Sequence, residues 1–153
     1  MSSVTTRTVG TRTATNLAIL GVVAGLAGGI LFGVLMAMQD MLPMVAALVG
    51  AEDATSGFVV HLAISAGAGL LFGLAAAGVP AIIASPQAAA AAGAAYGAVW
   101  WVAGALIAMP MMLGMGEMVL AVGEPQVMSL IGHLIFGVAT GLVLFAAVRQ
   151  GRG

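Results

Sequence analysis

Apolar residues fill four long stretches of the chain, and short segments with polar residues or prolines separate them. The stretches cover residues 15–39, 57–79, 87–109 and 126–149. Each is long enough for the roughly 20 residues that a membrane-spanning helix requires. Pro80 ends the second stretch and Pro86 precedes the third, so residues 80–86 form a short linker. The pattern predicts an all-α transmembrane four-helix bundle.

The two halves of this pattern repeat each other. The only two histidines, His61 and His133, are 72 residues apart, and Gly69 and Gly141 follow them at the same spacing. We therefore predict two two-helix repeats of the same orientation, related by a pseudo-two-fold axis along the membrane normal. The repeats cover residues 15–79 and 87–149, between an N-terminal tail of residues 1–14 and a C-terminal tail of residues 150–153. Residues 43–49 and 115–122 are short and apolar, and we expect them to form short interfacial segments on the outer side.

Composition and charge agree with a membrane protein. The chain is 62% hydrophobic and 6% charged, too few charges for a water-exposed surface. The four basic residues lie near the chain ends, and all five acids lie between the helices of each half, which places both termini in the cytoplasm. These end residues are Arg7, Arg12, Arg149 and Arg152. We expect a bacterial inner-membrane location, contact with the lipid bilayer and no nucleic-acid partner.

Small residues at a spacing of four predict the faces on which the helices pack. On a helix this spacing gives one continuous groove, and in membranes small residues let backbones approach closely. The predicted packing residues are Gly21, Gly25, Gly29, Gly33, Ser65, Gly69, Gly73, Gly137 and Gly141. We expect the four glycines of the first helix to form an exposed run that makes self-association or docking plausible.

The two histidines are the first candidate site. Each lies four residues before a small residue of a packing face, where an imidazole without a partner is costly. Three interpretations remain open: a structural hydrogen bond between helices, ligation of a metal or of haem b, and a proton or ion relay.

Methionines are the second candidate site, because every methionine except Met1 lies in an outer segment. Two sets repeat at a spacing of three: Met38, Met41 and Met44 in the first half, and Met109, Met112 and Met115 in the second. Thioethers together with imidazoles suit Cu(I) or Ag(I). The alternative is that methionine fills gaps in irregular helix junctions.

Trp100 and Trp101 lie near the middle of the third stretch, away from the interfaces where tryptophan usually concentrates. They either fill the volume beside the glycine grooves or contact a bound pigment, quinone or haem. The chain has no cysteine, no phosphate-binding loop and no nucleophile motif, so we expect no enzymatic activity.

Two segments carry a family resemblance: residues 57–62 with Phe72-Gly73, and residues 109–116 followed by residues 129–137. They resemble uncharacterised small bacterial four-helix membrane proteins with a tandem two-helix repeat. The resemblance implies the four-helix architecture and no activity.

The sequence thus favours a non-catalytic accessory or scaffolding membrane subunit, as a homo-oligomer or in a larger membrane complex. The alternatives are Cu(I) binding or transport at the methionine and histidine residues, and a b-type haem or quinone protein that uses the histidine pair.

Overall fold

Four long apolar helices make up most of the protein. The computed structural model describes the backbone of residues 3–150 and the side chains of residues 13–150, so the side chains of Arg7, Arg12 and Arg152 lie outside it. In chain order the helices are α1 (Ser3–Met38), α2 (Leu42–Ala46), α3 (Ala54–Gly78), α4 (Pro86–Trp100), a π-helix (Trp101–Ala108), α5 (Met109–Met112) and α6 (Glu124–Gln150). Short 3-10 turns cover Ala47–Val49, Pro80–Ile83 and Gly116–Met118.

Four of the helical segments are long and apolar enough to cross a membrane. They are Thr13–Met38, Ala54–Gly78, Pro86–Met112 and Glu124–Gln150, the third running continuously through α4, the π-helix and α5. The expectation of an all-α protein with four such spans is confirmed, and the chain is compatible with an integral membrane protein. We call the end of the bundle that holds residues 39–53 and 113–123 the connector end.

Polar caps set where two of the helices begin. The Asp53 carboxylate accepts the Ser56 backbone N–H at 2.8 Å and its hydroxyl at 2.6 Å, which starts α3 at Ala54. Ser85 accepts from the Ala88 N–H at 3.1 Å at the start of α4. Since α3 begins three residues before the apolar stretch, and α6 begins two residues before its own, both histidines lie deeper in their helices than the sequence pattern indicates.

The four long helices are neighbours in the order α3, α1, α6 and α4. α1 packs against both α3 and α6, and α4 packs against α6, whereas α3 and α4 form no comparable interface. Phe32 of α1 fills the space over Gly132 of α6, where even a methyl group would clash. Because α3 and α4 form no comparable interface, a gap remains between α3 and the third span.

The small residues on α1 pack against α3. Gly21 lies against Gly69 and Gly73, and Gly25 lies against Ser65 and Gly69, with backbone touching backbone. The remaining two glycines of the run, Gly29 and Gly33, lie against Ser65 and against Phe58 and His61. The whole run is buried inside the chain rather than exposed, so it leaves no glycine groove for self-association.

The second helix pair uses the same kind of contact one helical turn out of step. Gly93 meets the Gly137 carbonyl, and Gly141 meets the Ala89 carbonyl. In the first pair, Gly21 meets the Gly69 carbonyl. At the spacing of 72 residues, Gly21 matches Gly93 and Gly69 matches Gly141, so an exact repeat would bring Gly93 to Gly141 rather than to Gly137. At the position that matches Gly29 in the sequence pattern, the second half has the much larger Trp101.

The π-helix ends where Pro110 interrupts the hydrogen-bond ladder. Proline has no N–H to donate, and in a regular helix its partner would be the Leu106 carbonyl. The returning chain supplies the missing donor, because the Leu120 N–H reaches that carbonyl at 2.9 Å. Leu120 adopts a φ of 59° to do so, a conformation rare for a leucine side chain. This bond ties the second connector to the third span.

Candidate functional site

A cavity of about 250 Å³ lies inside the connector half of the bundle. Residues of α1, α3, the π-helix and α6 form its walls, and residues of α2 and α5 close it towards the connectors. Leu42, Val45 and Ala46 are buried, and the Leu42 carbonyl sits directly on Gly57, so α2 is packed firmly against α3. The first connector thus covers the cavity.

Aromatic residues close the other end of the cavity. Phe136 and Trp100 line it there, and Tyr96 spans the gap between the third span and α3. The Tyr96 hydroxyl donates to the Ala68 carbonyl at 2.7 Å, and its ring lies 5.1 Å from the Phe72 ring, centroid to centroid. The cavity therefore ends near the middle of the bundle and does not run through it.

His61 lines the cavity from α3 and forms a bond between helices. Its Nε2 lies 3.0 Å from the Gly29 carbonyl of α1, and the side chain is 8% exposed. A carbonyl oxygen can only accept, so Nε2 carries the proton and Nδ1 carries the lone pair. Within the described residues no group donates to that Nδ1.

His133 lines the same cavity from α6, but it bonds within its own helix. Its Nδ1 donates to the Ser129 carbonyl at 2.8 Å, and the Ser129 hydroxyl lies 3.3 Å away. The proton is therefore on Nδ1, and the lone pair is on Nε2. A backbone carbonyl that holds the other ring nitrogen in this way is typical of metal-ligating histidines. In the part of the chain that the structure describes, no donor reaches this Nε2.

Phe32 contacts both imidazoles. Its ring centroid lies 5.1 Å from that of His61 and 4.7 Å from that of His133, edge-on in each case. The structure thus brings the two histidines of the sequence repeat to one aromatic side chain, although their hydrogen bonds differ.

The structure brings four of the six candidate methionines to the cavity. These are Met41, Met44, Met109 and Met112, while Met38 and Met115 do not line it. Met38 is 77% exposed and points away from the bundle. The sequence pattern missed Met36, which is buried and lines the cavity one turn after Phe32. That spacing of four from Phe32 is the signal that could have found it.

The two tryptophans have different positions. Trp100 lines the cavity, and its ring lies 6.1 Å from the ring of Tyr96, centroid to centroid. Trp101 is not among the lining residues, and its indole N–H donates to the Gln126 carbonyl at 2.8 Å. Trp101 therefore ties the third span to the first turn of α6.

Part of the cavity lining is exposed on the surface of the chain, on both sides of the gap between α3 and the third span. Four of its lining residues are exposed: Met44 in α2, Ile64 in α3, Ala108 in the π-helix and Met112 in α5. Ile64 is ten residues into α3, about 15 Å from its start at 1.5 Å per residue. Exposed lining thus extends along α3 for a distance similar to half the thickness of a hydrocarbon layer of roughly 30 Å.

The acidic residues contribute little to this site. All five are exposed, and among the described residues no three histidine, aspartate or glutamate side chains come close enough to hold a metal ion. Asp53 serves as a helix cap, and its hydrogen bonds from the Ser56 hydroxyl and N–H hold the pKa of the Asp53 carboxyl below its ordinary value of 3.8. Any ligand in the cavity would meet imidazole nitrogens, thioethers, serine hydroxyls and apolar groups.

Comparison of the chain with protein-family models, with curated proteins and with solved structures gave no match.

Proposed function

We propose that the protein is a bacterial inner-membrane protein that binds a soft monovalent metal ion, Cu(I) or Ag(I), in the cavity without chemical conversion. One observation carries this proposal: a single cavity collects Met41, Met44, Met109 and Met112 together with both histidines. Sequence spacing alone had marked all six as soft-metal candidates.

The chemistry of the donors supports a soft ion. Thioether sulfur is neutral and polarisable, and it favours Cu(I) over Zn²⁺ or Mg²⁺. Each imidazole offers one lone pair without a donor in the described structure. A monovalent ion also adds only one charge to a largely apolar site, which limits the desolvation cost.

Haem b fits this arrangement less well than a metal ion. A shared haem needs one free ring nitrogen from each histidine, on opposite sides of the iron. Here Nε2 of His61 is engaged with Gly29, whereas Nε2 of His133 is the nitrogen with the lone pair. If the protein is expressed with haem available and is colourless after purification, this result would favour a metal ion over haem b.

Charge distribution supports the orientation of the site. Arginines near both chain ends favour cytoplasmic termini, so the connector end and the exposed part of the cavity lining would face the periplasmic side. The protein would then take its ion from the periplasm or from the outer leaflet. An accessory role in a larger membrane complex is compatible with such a site, but a homo-oligomer would need a surface other than the buried glycine run.

The test is anaerobic Cu(I) titration of purified protein against a chromophoric chelator. No cysteine is present to compete, so binding reports the thioethers and imidazoles. Replacing three of the four methionines of the proposed site by leucine (Met41, Met109 and Met112) keeps the side chains apolar and removes their sulfurs. We expect the Cu(I) affinity to fall at least tenfold, about 1.4 kcal/mol.

The matched control replaces three methionines that do not line the cavity (Met38, Met111 and Met118) by leucine. We expect its Cu(I) affinity to equal that of the unmodified protein. Equal affinity in both triple variants, or no Cu(I) binding in the unmodified protein, overturns the proposal.

A further inference from the structure

The cavity has more room and more apolar surface than one metal ion requires. Its volume of about 250 Å³ approaches the size range of pockets for small organic ligands. Phe32, Phe136, Trp100 and Ile64 supply aromatic and aliphatic walls. An apolar cavity of this kind favours an apolar occupant over ordered water.

Two of the four exposed lining residues belong to the spans rather than to the connectors: Ile64, 46% exposed on α3, and Ala108 of the π-helix. Both residues belong to helices that are apolar enough to cross a membrane. A ligand dissolved among lipid chains would therefore meet residues of the cavity lining directly.

The polar groups of the cavity define what such a ligand must carry. Nε2 of His133 and Nδ1 of His61 are acceptors, and within the described chain neither has a donor. A hydrogen-bond acceptor in apolar surroundings favours a ligand with a matching donor, because a ligand without one leaves the acceptor unpaired. Aromatic hydroxyls combine a strong donor with a flat apolar body.

We propose that the cavity also binds a lipid-soluble phenol or quinol, which enters between α3 and the π-helix and whose hydroxyl donates a hydrogen bond to Nε2 of His133. The ring of the ligand lies beside Trp100, and the ligand stays chemically unchanged. This inference goes beyond the metal proposal and does not require it. Since both ligands use His133, a soft metal ion and the phenol exclude each other.

The two tryptophans provide a reporter. Trp101→Phe leaves Trp100, which lines the cavity, as the only tryptophan, and Trp100→Phe leaves Trp101 outside it. The probes are 4-tert-butylphenol and its methyl ether, which have similar shape but differ in the hydroxyl donor. We expect saturable changes in Trp100 emission with the phenol, with affinity about tenfold higher than for the ether. The Trp100→Phe protein, whose remaining tryptophan lies outside the cavity, should show only non-saturable partitioning.

The decisive variant is His133→Phe in the Trp101→Phe background, because it keeps a flat ring and removes the acceptor. We expect the preference for the phenol over the ether to disappear while the ether still binds, which also shows that the cavity persists. A preference that survives this change, equal affinities in the starting protein, or absence of saturable binding overturns the proposal.

A second variant tests the route by which the ligand enters, and it does not require that the fold tolerates a substitution of His133. Ala108→Leu narrows this route at an exposed residue, and we expect association of both probes to slow severalfold; unchanged association overturns the lateral route. Addition of Ag(I) should release the phenol. Phenol binding by a protein that binds neither Ag(I) nor Cu(I) would support this inference while overturning the metal proposal.

Discussion

A close backbone contact between α1 and α3 predicts the effect of a single methyl group. Gly69 of α3 faces α1, and a Cβ added to it would lie 2.6 Å from Cα of Gly25 and 2.8 Å from its nitrogen, with the Gly21 carbonyl closer still. All three atoms are backbone, so no side chain can rotate away. Gly69→Ala must therefore push α1 and α3 apart.

The magnitude follows from the distance that the helices must move. Carbon atoms are in favourable contact at about 3.5–4.0 Å, so α1 has to retreat by about 1 Å. A gap of that size removes a quarter to a half of the dispersion energy of each contact along the interface. Overpacked cores typically lose about 1–3 kcal/mol, and we expect Gly69→Ala to lower the free energy of unfolding by about 2 kcal/mol relative to its control.

Gly67→Ala is the matched control on the same helix. A Cβ at Gly67 meets nothing within 4 Å. Both variants gain the same helix propensity, so the difference between them reports packing alone. The assay is reversible unfolding in mixed micelles, followed by far-ultraviolet circular dichroism. Stabilities that agree within about 0.5 kcal/mol, the usual range of surface substitutions, would refute the backbone contact between α1 and α3.

Three further predictions concern hydrogen bonds. Tyr96→Phe keeps the ring but removes the bond to the Ala68 carbonyl, so the free energy of unfolding should fall by about 1 kcal/mol in the same assay, and an unchanged value would contradict the bridge across the gap. Folding lowers the pKa of the Asp53 carboxyl, so the stabilising effect of this carboxylate is complete above pH 3.8 and disappears as the pH falls through the lower pKa of the folded state. The variant Asp53→Asn can still cap α3, and it should remove this acid dependence when the free energy of unfolding is measured at decreasing pH. Pro110→Ala returns a backbone N–H to the third span, and this N–H would compete with the Leu120 N–H for the Leu106 carbonyl. Hydrogen exchange at the Leu120 amide should therefore accelerate; an unchanged exchange rate would show that other contacts hold the connector.

The sequence predicts the helices well because length and hydropathy are local properties. Four apolar stretches of spanning length become four spans, with shifts of a few residues at their ends. The shifts come from single polar side chains: Asp53 starts α3 three residues before the apolar stretch. The π-helix was not predicted, since its residues have the same apolar composition as the α-helix before it.

The candidate site is a mixed case. The repeat marks His61 and His133, and both line one cavity. The methionine spacing marks four residues that line it but also Met38, which is 77% exposed, because a spacing of three cannot tell which side of a helix faces the protein. The spacing of three leaves out Met36, which lines the cavity and whose spacing of four from Phe32 is a separate signal.

The equivalence of the two histidines is where sequence and structure differ most. The repeat predicts that both act alike, yet His61 bonds to Gly29 of the neighbouring helix and His133 bonds to its own. The position that matches Gly29 in the sequence pattern is Trp101, so the second half offers no glycine carbonyl at that point.

The sequence by itself determined which segments are helical, that four of them are apolar and long enough to cross a membrane, and which faces carry small residues, because these follow from composition and periodicity. Only the tertiary structure decided that the glycine run of α1 is buried inside the chain, that α3 and the third span stay apart, and that a cavity fills the gap. These outcomes depend on how whole side chains such as Trp101 and Phe32 fit between helices that are distant in sequence, and no local pattern records that fit.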